Sequence, residues 1–464
     1  MRLTLGILLL LVTGPLAGHP GHDEPVLRHW ETASPDPDRI VLTWAGDPAT
    51  SIAVNWRTDP SVSQAYAEIA PATADPRFDL ARRQVAATTE PLDLNTAYRN
   101  SQGRVHYHSA TFTGLEPDTL YAYRVGDGAD RWSEWIQFRT AAVSPEPFSF
   151  LYFGDAQNAV FSHWSRVIRA AYSRAPEAAF SLHAGDLVNR AHRDREWAEW
   201  FTAGGWIHAS VPSIVVAGNH EYDEPDEAQE EPKVLALQWR PQFTLPVEAE
   251  LPEDLHETVY SIDYQGARFI VLNSNRHAEA QAAWLEAVLA ANPHRWTIVS
   301  FHHPVFSSGR GRDNAERRSL LKPIFDKHGV DLVLQGHDHT YARGQVPVRM
   351  TDGTARVRPD GSTEVTSMYV NSVSGPKMYQ FQEDGWDVYA PDGVELARKA
   401  ENTQFFQVIA IEGNILRYRA FTATGDPYDA FMLTKAPDGT KTLHDTLQVE
   451  RTFENTGPYS REDY

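Results

Sequence analysis

Residues 148–157 read Phe148-Ser-Phe-Leu-Tyr-Phe153-Gly154-Asp155-Ala156-Gln157, an apolar run that ends in a glycine and an acid. A run of this kind, rich in aromatics and bounded by turn chemistry, predicts a strand buried on both faces. The same grammar returns down the chain. Ala178–His183 leads into Gly185-Asp186-Leu187-Val188-Asn189, and Val211–Val216 into Gly218-Asn219-His220-Glu221. Trp296–Phe301 leads into His302-His303-Pro304, and Asp331–Leu334 into Gly336-His337-Asp338-His339. Arg268–Leu272 is a further run without such an ending. Between the runs, helical periods put Trp164, Val167, Ile168, Ala171 and Tyr172 on one face, and Trp284, Leu285, Val288 and Leu289 on another. Asp313 and Glu316 predict a capping box ahead of Leu320, Leu321, Ile324 and Phe325. Strand–helix alternation predicts an α/β layered domain.

Open α/β sheets place their sites beyond the carboxyl ends of the strands, so the five endings are expected to converge on one edge. Asp155 to Asp186 and Asp186 to Asn219 are each just over thirty residues apart, the length of one strand–helix–strand repeat. What converges is Asp155, Asp186, Asn219, His302, His337 and His339: two carboxylates, one amide and three imidazoles. One ion would be over-supplied by that set. Two divalent ions sharing a carboxylate, ~3.5–4 Å apart as in phosphatases and nucleases, fit it better. The chain has no cysteine, so thiolate metal sites, disulfides and thiol nucleophiles are excluded. Mixed N/O ligands suit Mn, Fe, Zn, Co or Ni.

Upstream the pattern is different. Arg39–Trp44, Ser51–Arg57, Gln64–Ala70, His106–Leu115, Leu120–Gly126 and Ser133–Thr140 alternate β-formers with polar residues. Strands at this spacing predict an all-β sandwich over 25–143. Pro145 and Pro147 mark its boundary with the layered domain, expected at 147–436 and followed by an extension over 437–464. Arg2, the apolar run Leu3–Val12 and the small residues Ala17-Gly18 read as a secretory signal over 1–18. An exported protein, periplasmic or secreted, with no membrane anchor is therefore expected. The 464 residues carry 62 acids against 42 lysines and arginines, a net of −20, which argues against nucleic acid as a partner.

The order GD…GDxx…GNH(E)…VxxH…GHxH resembles that of the calcineurin-like metallophosphoesterases. With a β-sandwich in front, the chain is similar to the purple acid phosphatase branch, as are Tyr260–Asn273 and Tyr369–Met378. Leu115–Tyr123 resembles the tyrosine-corner region of fibronectin type III domains. The resemblance implies a double β-sheet sandwich flanked by helices behind a fibronectin type III-like domain. It implies two divalent ions per chain, Fe, Mn or Zn, as a like or mixed pair. Asp155, Asp186 and His339 would then bind the first ion, Asp186 would bridge, and Asn219, His302 and His337 would hold the second.

Two departures from the purple pattern bear on chemistry. Asn189 stands where that branch has a tyrosine that ligates Fe(III), which predicts a colourless enzyme whose Asn189 lines the substrate pocket. Gln157 stands where most of the family has histidine; it either lends an oxygen to the first ion or only hydrogen-bonds nearby. His220, next to a ligand, is the expected general acid, with Glu221 orienting it and raising its pKa. His303 is a further catalytic residue, in contact with substrate or supporting the ligands. Arg310 and Arg312, in a glycine-containing loop, are expected to bind phosphate. His183 reads as a packed core histidine, and the insertion Tyr222–Glu257 as a lid or specificity wall. The function these readings imply is hydrolysis of small phosphate monoesters by metal-activated hydroxide, releasing inorganic phosphate. A phosphodiesterase acting on nucleotides or glycerophosphodiesters with the same ions is the alternative. A non-catalytic adhesion or carbohydrate-binding protein would need degraded metal motifs, and none is degraded.

Overall fold

Short strands between 38 and 139 pair, in the computed structural model, into two antiparallel four-stranded sheets; the structure describes residues 28–94, 103–223 and 233–447. One sheet runs in the order 38–43, 51–58, 104–113, 88–93, and the other 83–86, 66–71, 120–126, 136–139. Strands 83–86 and 88–93 have no counterpart among the sequence expectations. Their side chains are largely exposed, so they carry no apolar alternation to read. Val54, Trp56, Phe112 and Tyr123 fill the space between the sheets. The Tyr121 hydroxyl accepts the Glu116 N–H at 2.9 Å, pinning the chain just upstream of its own strand.

The sandwich is docked through buried polar bonds. Arg39 and Arg57, both on its first sheet, share the Asp194 carboxylate at 2.8 and 3.1 Å, with Asp38 closing the network on Arg57. The Tyr123 hydroxyl donates to the Ala209 carbonyl at 2.6 Å, and Asn55 bonds Pro241 and Thr244. Trp44 lies against Phe180 and Tyr264 of the second domain. The insertion expected to form a lid supplies part of this seam, since its helix Trp239–Gln242 packs on strands 51–58 and 104–113. Most of the acidic run Asp223–Glu231 lies outside the described residues, as does the expected signal segment.

Six strands predicted for the second domain are found at 148–153, 181–183, 213–215, 267–271, 296–300 and 332–335. With strand 363–371 they form two parallel groups, 213–215/181–183/148–153 and 267–271/296–300/332–335/363–371. Antiparallel strands 405–412, 415–422, 427–435 and 441–445 link them into one continuous hydrogen-bonded path. The two halves fold over each other on an aromatic core. Phe150 meets Phe269 at 5.2 Å, and Phe148 and Phe180 pack on Tyr264 at 4.9 and 5.2 Å. Strand 441–445 pairs with 363–371 and 427–435, so the sheet runs past the boundary expected at 437. Helices 165–174 and 194–204 cover one outer face, and 278–290 and 315–328 the other. No helix among the described residues is long and apolar enough to cross a membrane.

Candidate metal centre

Each ligand-type side chain sits just past the carboxyl end of a parallel strand, and the two folded halves bring these ends together. Asp155, Asp186 and Asn219 come from one half; His302, His337 and His339 come from the other. The loops are tight. Gly185 holds φ +89°, and a side chain on it would strike His302. Gly218 is needed for a different reason, because a Cβ there would lie 2.2 Å from Asp186 Oδ1. Asp186, His337 and His339 themselves adopt left-handed backbone, at φ 50°, 75° and 48°. Such conformations cost ~1–3 kcal/mol each and persist only where surroundings over-determine them. Here the Asp186 N–H is held by Glu221, and the His337 N–H by both oxygens of Asp155.

Two groups of acids and imidazoles result, Asp186/His302/His337 and Asp155/Asp186/His339, each with ligand atoms within 4.8 Å of one another. Asp186 belongs to both. Their hydrogen bonding reveals what they are made to hold. His302 Nδ1 donates to the Ala184 carbonyl at 2.9 Å and His339 Nδ1 to the Lys377 carbonyl at 2.8 Å. Each ring thereby turns a bare Nε2 lone pair inward, the usual device of a metal-binding histidine. His302 Nε2 then faces Asp186 Oδ2 and Asn219 Oδ1, both at 3.1 Å, and lies 3.2 Å from His337 Nδ1. Buried acceptors gathered this closely call for a proton or a metal cation between them. Burial drives the Asp155 carboxyl up to about 7. Although burial opposes it, Asp186 and Asp155 hold His302 up to about 9. The donor set fits two metal ions.

Gln157 donates its amide to Asp186 Oδ2 and meets His339 Nε2, both at 2.9 Å, while its Oε1 is buried without a partner. Exchanging the amide's two ends would aim that oxygen at the same space, as a ligand requires. Asn189 meets its neighbours through its backbone: its N–H donates to Glu196 and its carbonyl accepts from His220 Nδ1 at 2.6 Å. His220 Nε2 is left 3.9 Å from Asp186 Oδ2. Glu221 does not orient His220, contrary to the sequence reading. It is fully buried, its oxygens accept the N–H groups of Asp186, Leu187 and Gly218, and burial pushes it up to about 8. Nor is His220 raised; burial lowers it.

The His303 ring lies 4.1 Å from that of His337, and its Nδ1 meets Ser274 Oγ at 2.8 Å. Arg310 is drawn to Glu383 at 3.3 Å, whereas Arg312 donates to the His337 carbonyl at 3.1 Å. His183 packs among Phe153, Trp164 and Trp200. Three residues at the edge of the centre had no sequence reading as site residues. Asp338 accepts the Ser308 and Gly309 N–H groups and so shapes the loop that carries Arg312. Tyr379 packs its ring 4.6 Å from His339, with Lys377 beside it. Asp338 lies inside a ligand motif, a position that could have flagged it. Lys377 and Tyr379 gave no such signal.

Comparison with known proteins places this geometry. Residues 37–140 match the model of the purple acid phosphatase N-terminal domain, and 148–341 that of the calcineurin-like phosphoesterases. An uncharacterised protein of Mycobacterium tuberculosis is 28% identical over 383 residues, 74% of this chain and 68% of its own. Purple acid phosphatase 1 of Ipomoea batatas is 29% identical over 252 residues, 51% of this chain and 52% of its own. The structure of purple acid phosphatase PPD1 from yellow lupin superposes with a TM-score of 0.69 at 18% identity, covering 87% of this chain and 75% of that one. With a purple acid phosphatase N-terminal domain and a calcineurin-like phosphoesterase domain in tandem, and a centre that fits two metal ions, the chain resembles the purple acid phosphatase-like branch of the metallophosphoesterases and is a hydrolase of phosphoric esters.

Proposed function

We propose that this protein is an exported phosphomonoesterase that releases inorganic phosphate, with a colourless pair of divalent ions, Fe, Mn or Zn. The observation that carries the reading is the buried pair of ligand groups that share Asp186, with acceptors gathered around His302, a set that two cations would satisfy. Bound there, the ions would supply Lewis acidity to phosphoryl oxygens and acidify water for in-line attack. The chain's own residues do the rest. Asp155, Asp186, Asn219, His302, His337 and His339 are the proposed ligands, with Gln157 completing the first ion's set. His220, held through Nδ1 by Asn189 O, presents Nε2 to the leaving group and is the proposed general acid. His303, fixed by Ser274, faces substrate beside His337. A monoester brings more negative charge than a diester, and the cationic Arg312 at the rim supports the monoester reading. Asn189 in place of a tyrosine supports the absence of a phenolate charge-transfer band. The bond from Glu116 N–H to the Tyr121 hydroxyl supports a fibronectin type III-like sandwich, whose part here is docking.

The test is kcat/KM for p-nitrophenyl phosphate against bis-p-nitrophenyl phosphate on metal-reconstituted protein. A monoester preference above about 100-fold, ~2.7 kcal/mol of transition-state discrimination, is expected. A diester preference would overturn the monoester reading.

A further inference from the structure

The second sheet of the sandwich carries a polar row on its outer face. Ala67, Ile69, Tyr123 and Val125 join the core, so Glu68 and Arg124, which alternate with them, lie on the other side. Strand register sets Gln84 and Arg124 on either side of Glu68, and Arg82 reaches the same carboxylate from just ahead of strand 83–86. One Glu68 oxygen accepts from Arg82 Nε at 3.0 Å and the other from Arg124 Nε at 2.8 Å. The Glu68 side chain is only 6% exposed, a rare depth for a carboxylate on an outer sheet face. Two indoles flank the row: Trp132 and Trp135 lie 4.5 and 4.7 Å from the Arg124 guanidinium, and Phe78 meets Trp135 edge-on at 5.2 Å. The turn that folds Trp132 back over the sheet leaves no room for side chains. A Cβ at Gly126 would lie 2.2 Å from the Arg131 carbonyl oxygen, and one at Gly128, where φ is +80°, would strike the Tyr66 ring. Trp132 Nε1 is anchored on the Ala129 carbonyl at 2.9 Å. These groups line an open hollow of about 580 Å³ to which the second domain contributes no residue.

We propose that this hollow binds a neutral sugar chain, which gives the sandwich a glycan-binding function beyond its docking to the second domain. A sugar hydroxyl donates and accepts at once, and the hollow offers both kinds of partner. The Glu68 oxygens keep lone pairs beyond those used by the arginines. Arg82 Nη2, Arg124 Nη1 and the Gln84 amide have no protein partner among the described residues. The planar guanidinium, carboxylate and amide groups each present two atoms to a pair of neighbouring hydroxyls. The part-exposed Trp132 indole adds a broad, rigid surface for the C–H face of a sugar ring. Other occupants fit less well. An apolar partner would desolvate two guanidinium groups without replacing their water, and an acidic polymer would be repelled by the net charge of −20. The proposal does not depend on the phosphomonoesterase reading, since no residue of the metal centre lines the hollow.

The test is calorimetric titration of the metal-loaded full chain with cellohexaose, maltohexaose and hexa-N-acetylchitohexaose, with hexagalacturonate as the acidic comparison. At least one neutral hexaose is expected to bind with a Kd below about 1 mM. Gln84→Ala and Arg82→Gln, both at exposed positions, are each expected to weaken that binding at least about fivefold, the scale of one hydrogen bond. Circular dichroism and turnover of p-nitrophenyl phosphate should match wild type in both variants, which separates loss of the site from loss of the fold. Failure of all three neutral chains to bind, or undiminished affinity in both variants, overturns the proposal. So does binding that depends on Gln84 and Arg82 for hexagalacturonate alone.

Discussion

At Gly218 a single methyl group would lie 2.2 Å from Asp186 Oδ1, against a carboxylate shared by both ligand groups. Gly218→Ala is therefore expected to lose at least half of its bound metal while remaining folded, which elemental analysis alongside circular dichroism checks. His220 makes a different prediction, because it touches the centre without belonging to either ligand group. His220→Ala is expected to keep its metal and lose about 10²–10⁴-fold in kcat on alkyl phosphates, the usual worth of a general acid. The loss should be smaller on p-nitrophenyl phosphate, whose leaving group needs little protonation; equal losses would count against the acid role. The ligand types were legible in sequence because each follows a strand whose apolar run is readable. Glu221's attachment to backbone N–H groups was not, since adjacency to His220 in sequence says nothing about where its oxygens turn. Lys377 was hidden for a related reason: its contact with His339 spans 38 residues and uses a carbonyl that every residue possesses.

Among the elements, strands buried on both faces were the easiest to read, and 148–153 has the limits its composition implies. Local capping chemistry proved a poorer guide. Helix 315–328 begins after Asn314, without a side-chain cap, because Asp313 is taken by Arg318 and Tyr389. Tertiary partners outbid the local hydrogen bond there. The seam between the domains could not be read at all, since Arg39, Arg57 and Asp194 are ordinary surface residues in sequence. In the structure the Asp194 side chain is 7% exposed and holds two buried guanidinium groups. Removing it strands the Arg39 charge and leaves Arg57 to Asp38 alone, at a cost of ~3–5 kcal/mol for a broken buried pair. Asp194→Ala is expected to lower the denaturant midpoint and uncouple unfolding of the sandwich from that of the second domain. An unchanged midpoint would mean that the network is not what docks the sandwich.

The molecule as a whole meets acid with neutral histidines in its core. His208, stacked 3.8 Å from Trp200, is pushed down to about 3 by burial, and burial also holds neighbouring His183 well below its ordinary value. The unfolded chain takes up these protons as pH falls below about 6.5, and the folded chain does not. Stability from these groups is thus complete above about 6.5 and declines toward pH 3, by up to ~1.4 kcal/mol per pH unit for each. His208→Phe should flatten that decline in denaturant titrations between pH 6 and about 4; an unchanged slope would show that His208 takes up its proton without unfolding. The centre itself is tested most directly by titrating metal-free protein with Mn(II) while following phosphate release from p-nitrophenyl phosphate against bound metal. Activity is predicted to reach its plateau at two equivalents per chain, and a plateau at one equivalent, or two bound equivalents without turnover, would contradict the account.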